Sequence, residues 1–485
     1  MDRRQAREAL SRKPKGAVVS TFYSPDLLYR DGTFVPGLGL LVNHLGQIER
    51  ITTLQGAGDA EVIKLPRKAL LPGFVNAHSH SFQRLIRGRS ESRSLSGEDF
   101  WSWRGTMYHA AAQLTPEDVY DVARMAFLEM LLAGTTTVGE FHYLHTDPSG
   151  SPYTDPNLLS KRVIDAAQSV GIRIVLLRTA YLRSGYELPH DPGQTRFFET
   201  TDQFLRNMES LLTAFPVASS QVRFGVAPHS IRAVPLQALK QIAEWTSSKR
   251  LPLHMHVAEQ LAENAACLRE YGYTPVQLLS RNGILDERFT AVHAIHLRPT
   301  EFSQLAEARA TICSCPTTER NLGDGIFAAD QAMASGISIA LGSDSQAQID
   351  PLEDARELDY HLRLRDQQRI LLDQIGNEPI AKRLFACATQ NGARALDVNT
   401  GDFIVGAHAD AFTVDLDNLS IAGHSPDDLL SILVFSLNSS AIQDVLVNGQ
   451  WTLRNRHHPL HEEIVARYKQ VHQRVWHGSP LEAPR

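Results

Sequence analysis

Two short histidine motifs and a few well-placed acids hold most of the chemistry in this 485-residue chain. His78-Ser79-His80 ends the apolar run Leu70-Leu71-Pro72-Gly73-Phe74-Val75-Asn76-Ala77. Side chains alternate along an extended strand, so the two imidazoles share a face. Two imidazoles on one face can hold a single divalent cation. The chain has 20 histidines, so about one His-x-His is expected by chance and the motif alone decides nothing. A second motif, His254-Met255-His256, is followed by Glu259, while His229, His293 and Gly342-Ser343-Asp344 stand at the ends of further apolar runs. Buried histidine and aspartate need partners. Ionisable groups repeated at the ends of so many apolar runs are poorly explained by packing.

Three histidines and one carboxylate suit zinc, which in catalytic sites keeps a position for water and lowers that water's pKa to about 7. His78, His80, His256 and Asp344 are therefore expected to hold one Zn2+ per chain, and other divalent ions also fit such a set. His293 is either a further ligand or a donor that orients the water. Asp344 can both bind the metal and take the proton from the attacking water. Glu259 lies three residues past His256, where the chain leaves its strand, and suits a proton shuttle. Glu259, His293 and Asp344 are the expected catalytic groups. A second metal is not expected, because Val222-Arg223-Phe224-Gly225-Val226-Ala227-Pro228-His229 offers no lysine as a bridge.

These residues need strands to carry them. From about Lys68 the pattern alternates strand and helix, which implies a parallel sheet. Strands are expected over Ala69–Asn76, Thr136–Phe141, Arg173–Arg178, Val222–Ala227, Pro252–Val257, Thr290–Ala294, Thr311–Cys315 and Ser338–Gly342. A helix from Pro116 has Thr115 as its cap and Gly134 just past its end; another runs from Pro351 to Leu372 behind Asp350. Repeated β/α units of this number point to an α/β chain with a (β/α)8 TIM-type barrel, whose active site lies at the C-terminal ends of the strands. Short strands and turns fill residues 17–66 and return at 396–457. These two stretches are expected to form one small discontinuous β-sandwich domain around a barrel of residues 67–395. Residues 458–485 are expected to be a C-terminal helix and tail, and residues 1–16 a loose or helical tail.

With 43% hydrophobic and 21% charged residues the composition is that of a globular enzyme. The net charge of −6 and the lack of a basic stripe argue against nucleic acid or an anionic membrane as partner. Cys267, Cys313, Cys315 and Cys387 form no disulfide or Cys-x-x-Cys framework, and Cys313 and Cys315 are read as core. Residues 1–16 lack the apolar segment of a secretory signal, and no run of about 20 apolar residues exists. A cytoplasmic location is expected.

The order Pro72-Gly73-Phe74-Val75-Asn76-Ala77-His78-Ser79-His80, His254-Met255-His256-Val257-Ala258-Glu259, His293 and Leu341-Gly342-Ser343-Asp344 resembles the amidohydrolase superfamily, in its one-metal deaminase branch. Closer motifs resemble the formimidoylglutamate deiminases of bacterial histidine degradation: His80-Ser81-Phe82-Gln83-Arg84, Phe100-Trp101-Ser102-Trp103-Arg104, Glu140-Phe141-His142-Tyr143-Leu144-His145, Pro228-His229-Ser230-Ile231-Arg232, His256-Val257-Ala258-Glu259-Gln260 and Cys315 through Gly325. The resemblance implies hydrolysis of N-formimidoyl-L-glutamate to N-formyl-L-glutamate and ammonia. It implies that Arg104 and Arg232 bind the substrate carboxylates, that Tyr143 and His229 add contacts on that side, and that Gln83 lies near the formimidoyl end. His142 and His145 are read as supporting or structural. A homodimer is also what the family suggests. The nearest alternative is a deaminase of the same branch acting on a nucleobase or related heterocycle such as guanine.

Overall fold

The computed structural model describes residues 20–91, 100–215, 221–374 and 378–478, with the backbone alone for residues 100–102. The expectations for residues 1–16 and for the tail after 478 lie outside the described residues, as do the side chains of Phe100, Trp101 and Ser102.

Both chain ends build one mixed sheet. Its strands are β1 (Thr21–Arg30), β2 (Thr33–Pro36), β3 (Leu38–Val42), β4 (Ile48–Thr53) and β5 (Glu61–Pro72) from the start of the chain. The same sheet takes strands from the far end, in the order β16-β15-β14-β5-β1-β3-β4, with β2 alongside β1. These late strands are β14 (Ala411–Asp415), β15 (Ile442–Val447) and β16 (Gln450–Leu453). The two ends join where β14 runs antiparallel to β5, with Ala411 opposite Pro72. Tyr23, Leu28, Leu40, Leu65, Leu70 and Leu446 form a separate apolar cluster here with Phe403.

Between the ends lie eight strands in a second sheet, neighbouring one another in chain order. They are β6 (Phe74–Ser79), β7 (Thr135–His142), β8 (Arg173–Ala180), β9 (Val222–Pro228), β10 (Leu253–Val257), β11 (Phe289–His293), β12 (Thr311–Ser314) and β13 (Ser338–Leu341). All pairings are parallel, and helices connect them, so the fold is the expected TIM-type barrel with a smaller β unit made from both chain ends. The ring closes just beyond the strand ends: His80 N–H donates to the Asp344 carbonyl and Asp344 N–H to the His78 carbonyl, both at 3.0 Å. A Cβ at Gly342 would lie 2.7 Å from the His78 Cβ and 2.8 Å from its carbonyl oxygen. Glycine there lets the last strand approach the first.

The first barrel strand differs from expectation. The run Ala69–Asn76 is divided at Gly73. Residues up to Pro72 continue β5 in the mixed sheet, and the barrel starts at Phe74. A Cβ at Gly73 would meet Thr136 Oγ1 at 2.2 Å, so the crossing needs glycine. Leu70, Leu71 and Phe74 are all fully buried, which explains why hydrophobicity shows no break at the switch between sheets.

Local signals set the helices. Over Pro116–Leu132, Thr115 and Asp118 form a reciprocal capping box with proline in the first turn. The helix behind Asp350 spans Pro351–Asp366 and stops short of Leu372, because Gln367 turns left-handed at φ 54°. The C-terminal helix spans His461–His477. It is anchored by Trp476 Nε1–H to the Leu85 carbonyl (3.0 Å) and by Arg474 to Asp118.

Candidate active site

At the seam between β6 and β13, four side chains bring their ligand atoms within 4.8 Å of one another: His78, His80, His256 and Asp344, all buried. His78 Nε2 lies 3.2 Å from His80 Nε2 and 3.1 Å from His256 Nε2. Asp344 Oδ1 lies 3.1 Å from His80 Nε2 and 3.4 Å from His78 Nε2. His80 Nδ1–H donates to the Phe141 carbonyl (2.8 Å) and His256 Nδ1–H to the His229 carbonyl (3.0 Å). A carbonyl only accepts, so each Nδ1 carries its proton and each Nε2 faces the cluster, where a neutral ring presents its lone pair. His80 Nε2 and the Asp344 carboxylate therefore meet lone pair to lone pair at 3.1 Å, an arrangement that a cation between them relieves. Metal bonds of about 2.1 Å in a tetrahedron put ligand atoms about 3.4 Å apart, close to the spacings seen here. The residues fit a divalent metal of the zinc type. Burial lowers the His78 pKa to about 3, so that ring is a neutral donor of electrons.

His293 stands beside this set. Its Nε2 is 3.8 Å from Asp344 Oδ2 and its Nδ1 is 3.2 Å from Glu319 Oε1. Burial disfavours its charge, yet Glu259, Glu319 and Asp344 raise its pKa well above the ordinary value. His293, Cys315 and Asp344 also present ligand atoms within 4.8 Å of one another. Cys315, however, packs with Ala77, Val292, Cys313, Ala340 and Ala395, and burial holds its thiol protonated. Backbone strain gathers at these strand ends: Ala258, His293, Ala294 and Asp344 have φ of 52°, 69°, 53° and 45°. Such non-glycine conformations persist only where surrounding structure enforces them.

Above the cluster opens a cleft whose lining includes His80, His256, Glu259, His293 and Asp344. Gln83, Arg104, Tyr143, His229 and Arg232 line it too, so every residue expected to meet substrate stands in one cavity. Trp103, Tyr108, Tyr181 and Phe197 complete an aromatic wall. Burial raises the Glu259 pKa, with Asp344 adding to the shift and His293 opposing it. Burial, then the Arg232 charge, keeps His229 neutral.

The amidohydrolase family profile matches residues 69–452, which is most of the chain and the whole barrel. The chain belongs to the amidohydrolase family. A formimidoylglutamate deiminase from Pseudomonas aeruginosa is 36% identical over 404 residues, covering 83% of this chain and 88% of that protein. An 8-oxoguanine deaminase from the same organism is 30% identical over 419 residues, covering 83% and 87%. A crystallised amidohydrolase from Brucella melitensis superposes with a TM-score of 0.84 at 30% identity, covering 94% of this chain and 99% of that one. A zinc-bound adenosine deaminase from Xanthomonas campestris shares the fold at 22% identity, with a TM-score of 0.79 over 94% and 98% of the two chains. This amidohydrolase is accordingly a hydrolase of C–N bonds. Among the described residues no helix is long and apolar enough to cross a membrane.

Two acids that stand inside the family motifs quoted above, but to which the sequence assigned no role, support the site. Glu319 accepts from Cys315 N–H (2.7 Å) and the Ser314 hydroxyl (3.0 Å) and so is fixed where it meets His293. Glu140 accepts from the Ser79 hydroxyl (2.7 Å), the Ser81 hydroxyl (2.6 Å) and Ser81 N–H (2.7 Å), gripping the chain on both sides of His80. Gln346 Nε2 donates to Ser79 Oγ (2.9 Å), and Asn76 Nδ2 to Ser343 Oγ (2.6 Å), tying β6 to the Asp344 loop. His254 does not join the cluster; its Nε2 lies 2.8 Å from the Ala395 carbonyl, and burial lowers its pKa to about 4. His145 Nε2 lies 2.8 Å from the Thr179 carbonyl, in a structural setting with Glu199 and Arg178.

Proposed function

We propose that the chain hydrolyses N-formimidoyl-L-glutamate to N-formyl-L-glutamate and ammonia, a step of histidine degradation. The observation that carries this reading is Arg232. Its guanidinium lines the cleft and donates to the Tyr181 hydroxyl (2.9 Å) and the Ser184 carbonyl (3.1 Å). Both partners are neutral, and no carboxylate among the described residues pairs with it. A half-buried cation with no carboxylate paired to it among the described residues is best satisfied by an anionic ligand, and its planar fork suits a carboxylate. Arg104 lines the same cleft, which suits a substrate with two carboxylates whose amidine end reaches the histidine cluster.

The chain's own groups then divide the work. His78, His80, His256 and Asp344 hold one zinc ion, which supplies Lewis-acid activation of water. Asp344 takes the proton released from water as oxygen adds to the formimidoyl carbon. His293, held by Glu319, donates a hydrogen bond to the incoming oxygen. Glu259, whose carboxyl burial favours protonated, gives its proton to the imine nitrogen as oxygen adds; the proton held by Asp344 then passes to the same nitrogen, the C–N bond breaks and ammonia leaves, and the hydroxyl proton of the adduct returns to Glu259 as the C=O bond forms. Gln83 Nε2 donates to the Tyr143 hydroxyl (2.7 Å), which leaves its buried, unpartnered Oε1 to accept from a substrate N–H. His229 and Tyr143 stand on the carboxylate side. We propose in addition that the enzyme is a cytoplasmic homodimer; metal analysis and light scattering test the stoichiometries.

A second reading is favoured by the aromatic wall: Trp103, Tyr108, Tyr181 and Phe197 suit a planar heterocycle, and one relative is an 8-oxoguanine deaminase. Ammonia release from N-formimidoyl-L-glutamate by the zinc-loaded parent and by Arg232→Ala decides between them. Release by the parent with a large loss in the variant supports the dicarboxylate reading. No release by a parent that holds its metal removes this substrate and leaves heterocyclic amines.

A further inference from the structure

We infer that Asp324 is a positioning residue that locks together the loops carrying the two proton-handling groups, Glu259 and His293. It is buried and has no role in the chemistry above. Its Oδ1 accepts from Gln260 Nε2, and Gln260 is the neighbour of Glu259. Its carbonyl accepts from His296 Nε2–H (2.8 Å). His296 N–H in turn donates to the Ala258 carbonyl (3.0 Å), and Asn264 Nδ2 donates to the His296 carbonyl (2.8 Å). Asp324 N–H donates to the Glu319 carbonyl (3.0 Å), and it is the Glu319 carboxylate that meets His293 Nδ1. The loops after β10, β11 and β12 thus converge on one residue.

Two further observations agree. Ala258, His293 and Ala294, in the first two of these loops, have positive φ, and that strain needs a frame to hold it. Asp324 Oδ2 is buried and has no partner among the described residues. An ionised carboxylate bonded only to a neutral amide in such a place is costly, so the group sits there as a neutral acid. Burial first, then the Glu259 charge, pushes its pKa up to about 8, with His293 opposing and Glu319 adding; His296 is the other titratable group against it. A neutral carboxyl and a carboxamide have the same shape, and both can accept from Gln260. Asparagine therefore preserves the Gln260 bond; alanine removes it and leaves the main-chain bonds to His296 and Glu319 in place.

This inference deepens the deaminase reading and rests on it, so its test has a readout independent of substrate. Zinc-loaded parent, Asp324→Asn and Asp324→Ala are compared by ammonia release from N-formimidoyl-L-glutamate, by metal content and by hydrogen exchange of peptides spanning 258–264 and 294–297. The expected result is kcat lowered about 10–100-fold in Asp324→Ala, the size seen when partners of a metal-site group are removed, with KM and metal content unchanged. Exchange in the 258–264 peptide, which loses its bond to the Asp324 side chain, speeds up in Asp324→Ala, and the 294–297 peptide, held to the Asp324 carbonyl, keeps parent exchange. Asp324→Asn keeps parent exchange and parent kcat at neutral pH, and it lacks the parent's loss of activity as Asp324 ionises above pH about 8. Parent-like kcat and exchange in Asp324→Ala would overturn the inference, as would an Asp324→Asn variant as impaired as Asp324→Ala. A parent that releases no ammonia sinks the substrate reading alone, and the exchange data still decide whether Asp324 holds the frame.

Discussion

At the floor of the cleft the proposed metal ligands rise from strand ends and are pinned largely by main chain; at the rim the arginines proposed to meet substrate stand on a helix and a loop and lean on tyrosine side chains, with one main-chain bond, from Arg232 to the Ser184 carbonyl. His80 and His256 are oriented by the carbonyls of Phe141 and His229, and Asp344 is stitched to His78 and His80 through backbone bonds. Arg104, on the helix Phe100–Gln113, donates to the Tyr108 hydroxyl. Arg232 leans on Tyr181, with its guanidinium 5.9 Å from the ring centre. Behind it, Arg183 forks onto Glu270 (2.8 and 2.6 Å) and donates to the Arg232 carbonyl (3.0 Å). Backbone partners survive substitution and side-chain partners do not. The floor therefore supplies a reaction that belongs to the fold, whereas the rim is free to change substrate. Relatives with one fold and different substrate names, a formimidoylglutamate deiminase and an 8-oxoguanine deaminase, are what such a division produces.

The largest expected effect comes from the floor. Glu259→Gln should lower kcat by about 10²–10⁴-fold, the usual worth of a general acid–base group, with metal content unchanged; steady-state ammonia release and metal analysis check it. At the rim, Arg104→Met should lower kcat/KM for N-formimidoyl-L-glutamate by about 10–150-fold, from the roughly 1.5–3 kcal/mol of a charged hydrogen bond. If it lowers activity on a carboxylate-free amidine equally, the division between floor and rim fails. Glu140→Gln touches neither metal nor substrate but loosens Ser79 and Ser81 around His80. Metal affinity should fall about 10–100-fold, read by chelator competition, with KM unchanged in metal-saturated enzyme.

The smallest effect lies outside both regions. Glu199 is held by Arg178 (2.5 and 2.8 Å). Burial alone would raise its pKa, but His145 and Arg178 bring it down to about 2 from an ordinary 4.5. A depressed carboxyl stabilises the fold fully above its unfolded value and loses that contribution as pH falls, here from about 4.5 towards 2. Melting temperature measured across this window should fall more steeply for the parent than for Glu199→Gln, while the catalytic pH profile near neutrality stays the same.

Much of the floor was legible in sequence because metal chemistry restricts both residue type and place: histidines and an aspartate at the ends of apolar strands. The arginines were legible only through family motifs, since nothing in a single sequence separates a cleft arginine from a surface one. Glu319 and Glu140 were not legible as supports, because each acts on a histidine that comes near it only when the barrel closes. His254 shares a motif and a strand face with His256, but two residues lower on the strand it meets the Ala395 carbonyl instead of the cluster. The turn at Gly73 was hidden because apolar residues are buried on both sides of it.

The most direct measurement of the central claim is the kcat/KM of the zinc-loaded enzyme for N-formimidoyl-L-glutamate beside that for 8-oxoguanine, in one ammonia-release assay. The account predicts strong preference for the dicarboxylate, abolished in Arg232→Ala. Preference for the heterocycle, or a dicarboxylate rate indifferent to Arg232, would contradict it.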